Sequence, residues 1–507
     1  MRRLYFLFAL LFISISPTQI SRAQVRLPGV LSDHAVLQRD RPARIWGWAS
    51  PGEKISVRFH NQSLTAEADD VGEWQVWLKP EAVGGPYTLT VTSEKTTTTL
   101  ERRDILLGDV WIASGQSNMG MPLKGFNPST LVKDGEKEIA AAAHPQLRLL
   151  VQKEVTSGTP LSDSTDVWSE CTPETARDFS AVAYFFGREL SRTEKVPIGL
   201  IETTWGGTPA HAWISLDSII NANLTSVATD AINIARDQAK ADSIRAVYNR
   251  EDEAAKVAGQ SMPKHPAIPN DHKGAWAPGA LYNAMISPYT HYVIKGIIWY
   301  QGETDADPAR AAYYERVFPT LITDWRRQWA QGDFPFLFVQ ISSFTSPPDL
   351  WGQVRDAQRR TLSLANTGMA VSLDVGLAKD IHPPNKQTVA ARLAANARAI
   401  AYGEHIEYSS PQFLQATPEG SSIRAWFTHA DGLSTPDQQL GDVEVAGEDR
   451  KFVPANARIE TIEERKTIVA TARSVVVPRY IRYGWAGVVT HFVYNAGNFP
   501  LGSFTSE

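Results

Sequence analysis

The chain has 507 residues, 43% of them hydrophobic and 21% charged, a globular mix that excludes disordered and fibrous classes. Fifty basic against 55 acidic side chains leave a net charge of −5, which argues against a nucleic-acid binder working through a basic surface. The single cysteine, Cys171, excludes an internal disulfide framework and any cysteine-built metal cage.

Met1-Arg2-Arg3 precedes an apolar stretch from Leu4 to Ile15, and a polar section follows that ends in Ser21-Arg22-Ala23-Gln24. This pattern reads as a secretory signal peptide over 1–23, cleaved near Ala23, with an uncleaved anchor as the alternative. The apolar stretch is shorter than the roughly 20 residues a membrane span needs. The expectation is a secreted or periplasmic protein with no membrane span after cleavage.

Over 24–105, short segments such as Ala43-Arg-Ile-Trp-Gly-Trp, Lys54-Ile-Ser-Val-Arg-Phe and Trp74-Gln-Val-Trp-Leu alternate inward and outward between turn residues. They predict an N-terminal β-sandwich. From 106 to 403 the pattern changes. Five apolar runs have strand character: Val110–Ala113, Pro197–Ile201, Ile294–Tyr300, Phe336–Ile341 and Met369–Leu373. Helical faces lie between most of them, among them Phe179, Val182, Phe186 and Leu190, then Tyr314, Val317, Leu321 and Trp325, and later Val389, Leu393, Ala397 and Ile400. Strands alternating with helices predict an α/β domain with a parallel sheet. An insertion of about 216–273 interrupts it, helical to about Ala258 and irregular from Gln260 to Trp276. Residues 404–507 lose the helical period and predict a second, β-rich region.

In open α/β sheets ligands bind beyond the carboxyl ends of the strands. Chemistry-bearing residues follow four of the five runs: Gly115-Gln-Ser117-Asn, Trp205-Gly206-Gly207-Thr208, Gln301-Gly302-Glu303-Thr304, and Asp374 with Asp380-Ile-His382-Pro-Pro. Each alone has a plainer reading. Ser117 suits a turn or cap, His382 a structural hydrogen bond, and Glu303 an ion pair with Arg326 or Arg327. Their convergence on one sheet edge favours a site.

Gly108-Asp-Val-Trp-Ile-Ala-Ser-Gly-Gln-Ser117-Asn-Met, Trp205-Gly-Gly-Thr, Gly296-Ile-Ile-Trp-Tyr-Gln301-Gly-Glu303 and Asp380-Ile-His382-Pro-Pro-Asn-Lys resemble the sialate O-acetylesterase family, of the SGNH-hydrolase group and related to bacterial acetyl-xylan esterases. The resemblance extends to Leu31-Ser-Asp-His-Ala-Val-Leu-Gln near the N-terminus and to Ile481-Arg-Tyr-Gly-Trp in the tail, but not to the insertion. It implies an SGNH-like sheet and a serine esterase removing O-acetyl groups from sialic acid or an acetylated plant polysaccharide. A catalytically silent glycan-binding protein and a lipase-like SGNH esterase are the rivals.

By the same resemblance, Ser117 is the nucleophile and His382 the general base. The oxyanion hole is formed by the backbone N–H groups of Ser117 and Gly207, or the adjacent Gly206, with the Gln301 amide as third donor. Losing one such donor costs about 100- to 1000-fold in rate. No metal or cofactor is implied, and His211, His265 and His272 lack metal-ligand spacing. The acid that orients His382 is open. Asp-x-x-His is absent, because position 379 is Lys. Pro383 pushes His382 toward an extended backbone, where residues two apart share a side, so Asp380 is the expected triad acid. Glu303 is expected as support and is the rival; Asp374 is more remote.

Overall fold

The structure, a computed structural model, describes residues 25–94, 99–269, 271–436 and 438–507. The signal-peptide expectation over 1–23 lies outside the described residues. Among these, the longest strand is Thr99–Gly115, and it joins two parts of the molecule. Its first half pairs antiparallel with Gly84–Ser93 and alternates between exposed and half-buried residues. Its second half, Ile105-Leu-Leu-Gly-Asp-Val-Trp-Ile-Ala-Ser-Gly, is buried throughout and pairs parallel with neighbours on both sides. A strand covered on both faces needs a continuous apolar run, whereas a one-sided strand alternates. The expected boundary at 105/106 therefore falls inside one continuous strand.

The central sheet runs Thr367–Val371, Phe336–Gln340, Gly296–Tyr300, Thr99–Gly115, Ile198–Thr204, His144–Val151 and Ser169–Cys171. All pairings are parallel except the last, where Ser169–Cys171 closes the edge antiparallel. Helix Ala181–Glu194 packs on Lys386–Ile400, and Tyr314–Trp329 on Trp351–Arg360. Ser180 and Asn385 start two of these helices by accepting from the N–H of Ala183 and Thr388. A mixed sheet with flanking helices and added β-sheets makes this an α/β fold.

On the N-terminal side, Lys54–Phe59 pairs with Gln62–Glu67 and with Gly84–Ser93, while Ala43–Trp48 and Glu73–Leu78 form a separate two-stranded sheet. On the C-terminal side lie two four-stranded sheets. Arg355 fastens the segment that follows Tyr480–Tyr483, a strand of one of these sheets, to the α/β part. This guanidinium is fully buried and donates to the carbonyls of Ile341, Ser342, Gly484, Ala486 and Gly487. The insertion forms helices Leu216–Asn221 and Thr225–Val257, then irregular chain. No helix among the described residues is long and apolar enough to cross a membrane.

Candidate active site

Where Thr99–Gly115 ends, the chain must turn hard against its neighbour. Gly115 sits at φ +137°, and a Cβ there would lie 2.2 Å from the Tyr300 carbonyl oxygen, so only glycine allows the approach. Two residues on, Ser117 opens a short helix, Ser117–Gly120, half-buried at the strand end. A helix N-terminus leaves its first N–H groups without intrahelical partners. The Ser117 N–H makes no hydrogen bond among the described residues, and neither does that of Gly207.

Ser117 Oγ lies 2.9 Å from Nε2 of His382, 265 positions away in the chain. The edge of Phe126 packs on the imidazole, with ring centroids 5.1 Å apart. Burial and the nearby Lys386 ammonium lower the His382 pKa below its usual 6.5, with Asp380 opposing them. The ring is therefore neutral at neutral pH and able to accept a proton.

Asp380 stands beside the imidazole. Its Oδ1 accepts the His382 backbone N–H at 2.9 Å and lies 3.8 Å from Nδ1, beyond hydrogen-bond length. Glu303 points elsewhere. Its Oε1 accepts from Asn118 Nδ2 at 2.5 Å, its Oε2 has no partner among the described residues, and burial raises its pKa. It does not pair with Arg326, which donates to the Phe334 carbonyl, nor with Arg327, which pairs with Asp324. Asp374 is held by Arg392 at 2.7 Å and is not available to His382.

Asn118 and Lys386 were not singled out from the sequence. Asn118 is fully buried, and its Nδ2 also donates to the Ile381 carbonyl at 2.9 Å, tethering the residue next to His382. Its Oδ1 accepts from Lys386 Nζ at 2.5 Å. Lys386 is fully buried too, and desolvation lowers its pKa to about 7 against the pull of Glu303 and Asp380. One amide thus connects an acid, an amine and the histidine loop. The available signal was a Ser-Asn pair at a strand end and a lysine four residues after His382.

Gln301 requires a correction. Its amide Nε2 donates to the Thr208 carbonyl at 3.2 Å and to Asp305, while its Oε1 accepts from Tyr314 at 3.0 Å. With the side chain fully buried, both amide hydrogens have acceptors, and none is left for an oxyanion. Asp305, buried with its pKa raised to about 6, is the partner that takes it.

Gly206 and Gly207 are exposed. A Cβ on Gly206 would meet the Ser117 Cβ at 3.3 Å, while Gly207, at φ +68°, faces open space. This pair forms one wall of a cavity of about 390 Å³ that the insertion closes with Asp271, His272, Lys273 and Trp276. Trp276 Nε1 donates to the Gly207 carbonyl at 2.7 Å, and His272 stacks on the Trp276 ring at 3.7 Å.

Among the described residues, the grouping with donor atoms close enough for a metal is His34, Asp104 and Glu170. Arg148 already supplies its cation, 2.8 Å from Asp104 and 3.6 Å from Glu170.

The arrangement sets a hydroxyl 2.9 Å from a neutral imidazole, with the Ser117 N–H unpaired among the described residues and Gly206 packed against the serine. Comparison with known proteins places the chain in a family. Human sialate O-acetylesterase is 30% identical over 503 residues, covering 91% of this chain and 87% of that protein. The chain belongs to the sialate O-acetylesterase family. Residues 268–398 match the family model described as carbohydrate esterase, sialic acid-specific acetylesterase. The mouse sialate O-acetylesterase is 32% identical over 418 residues, covering 75% of this chain and 74% of that protein. A carbohydrate acetylesterase from Xanthomonas citri superposes with a TM-score of 0.80 at 34% identity, over 96% of this chain and all of that one. Membership makes the protein a carbohydrate esterase, a hydrolase acting on O-acetylated sugars.

Proposed function

We propose that the protein is a serine O-acetylesterase that cleaves sugar acetates through an acyl-enzyme. The 2.9 Å contact between Ser117 Oγ and His382 Nε2 carries this reading. His382 takes the hydroxyl proton as Oγ attacks the acetyl carbonyl, and then returns it to the departing sugar oxygen. Water, activated by the same imidazole, releases acetate from Ser117. The N–H groups of Ser117 and Gly207 hold the oxyanion. Asp380, next to Nδ1, stabilises the imidazolium electrostatically. Asn118, Lys386 and Glu303 hold the serine and histidine loops in register.

The substrate is an O-acetylated sialic acid or an acetylated plant polysaccharide, entering the cavity between Gly206-Gly207 and the insertion. Secretion, read from 1–23, belongs to the same proposal, and sequencing the N-terminus of the mature protein tests it. The decisive measurement is acetate release from a panel of O-acetylated sialic acids and acetylated xylans. Release from at least one, abolished in Ser117→Ala, is expected. Full activity in Ser117→Ala refutes the serine mechanism, and a preference for octanoate over acetate esters refutes the substrate class.

A further inference from the structure

The turn Trp205-Gly206-Gly207-Thr208 is held at both ends from within the α/β part. Trp205 donates its N–H to the Gly115 carbonyl at 3.1 Å, and its carbonyl accepts from Thr208 Oγ1 at 2.8 Å. The Thr208 carbonyl accepts from Gln301 Nε2 at 3.2 Å. The two glycines between are exposed, and adjacent residues without Cβ atoms leave the backbone at its least restrained. One hydrogen bond reaches them among the described residues, from Trp276 Nε1 to the Gly207 carbonyl at 2.7 Å.

The indole is itself immobilised. His272 stacks on its ring at 3.7 Å, and the Arg310 guanidinium lies 4.7 Å from the ring centroid. Arg310 is buried, pairs with Asp230 of Thr225–Val257 at 3.4 Å and donates to the Thr304 carbonyl at 3.2 Å. His211 Nε2 donates to the Trp276 carbonyl at 3.0 Å. Ring and backbone of Trp276 are thus tied to the segments that follow Ile198–Thr204 and Gly296–Tyr300.

We infer that Trp276 is a positioning residue for ester cleavage: its indole N–H holds the Gly206-Gly207 turn in the conformation that presents a backbone N–H to the oxyanion. The inference rests on the serine mechanism proposed above. An oxyanion donor lowers the barrier because it is aimed before the charge develops, and a donor that must first be ordered loses much of that effect. Gly206 stands against the serine, where a Cβ would meet the Ser117 Cβ at 3.3 Å, so a drifting turn leaves the reacting centre. Gly207 sits at φ +68°, a conformation that residues with side chains rarely adopt. Stiffness therefore has to come from outside the turn, and Trp276 supplies it.

Trp276→Phe in the full-length enzyme tests this, because it keeps an aromatic ring for His272 and Arg310 and deletes the N–H. With p-nitrophenyl acetate, kcat should fall about tenfold while KM stays within about twofold. Inhibition by methylboronic acid, which forms a tetrahedral anion on the serine, should weaken by the same factor, a readout that a purely structural role would not move. Should Trp276→Phe not fold, replacing Trp276 by benzothienylalanine, with sulfur where the indole has N–H, gives the same readout. A kcat within about twofold of the parent enzyme overturns the inference. So does a change carried by KM alone, which makes Trp276 a wall of the substrate cavity, or a fall in kcat without weaker boronate inhibition. These failures leave the Ser117 chemistry standing, whereas activity retained in Ser117→Ala removes both.

Discussion

Asp380→Asn separates an orienting acid from a bystander. Asparagine keeps an oxygen for the His382 backbone N–H, so the loop is preserved while the charge is lost. At 3.8 Å, two unit charges attract by about 1 kcal/mol at the dielectric constant of water and about 4 kcal/mol at an effective value of 20. The Asp380 side chain is 37% exposed and that of His382 24%, so solvent screening places the interaction nearer the lower end, about 2 kcal/mol. The imidazolium exists fully only after proton transfer, so the loss falls on kcat, by about 30-fold. Asp380 also raises the His382 pKa, and removing it shifts the acid limb of the pH profile further down. Measuring kcat and kcat/KM for p-nitrophenyl acetate from mildly acidic to mildly alkaline pH checks both effects. A kcat within about twofold of the parent enzyme refutes the reasoning. Greater damage from Glu303→Gln makes Glu303 the orienting acid, acting through Asn118.

Lys386→Met should move the acid limb the other way, to higher pH, because the ammonium holds the His382 pKa down; an unmoved limb shows that this charge does not reach the imidazole. It should also lower kcat, since Asn118 Oδ1 loses its donor. His272→Ala removes the ring stacked on Trp276 and should raise KM for acetylated glycans while sparing p-nitrophenyl acetate; unchanged KM on both makes the insertion a decoration. Arg355→Met removes five hydrogen bonds and leaves the Ile341 and Ala486 carbonyls without another donor among the described residues, and should cost about 1–3 kcal/mol in denaturant unfolding, with the catalytic residues untouched.

The chain order of α/β elements was legible because periodicity is local. The strands Gly296–Tyr300 and Phe336–Gln340 coincide with apolar runs that a parallel sheet buries on both faces. His144–Val151 was missed, since Pro145 and Arg148 break its run; the structure buries Arg148 and pairs it with Asp104. The site's chemical inventory was also in the sequence, because glycines, hydroxyls, acids and imidazole cluster after strand ends. What the sequence could not decide is which of those groups meet. Ser117 and His382 follow strands with two others between them in the sheet, and they touch only because the long segment after Thr367–Val371 reaches back across the strand ends. Gln301, an oxyanion donor only by the family resemblance, is spent on Thr208 and Asp305, and Asn118 and Lys386 gain their roles through burial. Residue type sets what a group can do, while hydrogen-bond partners and desolvation, which depend on distant segments, set what it does.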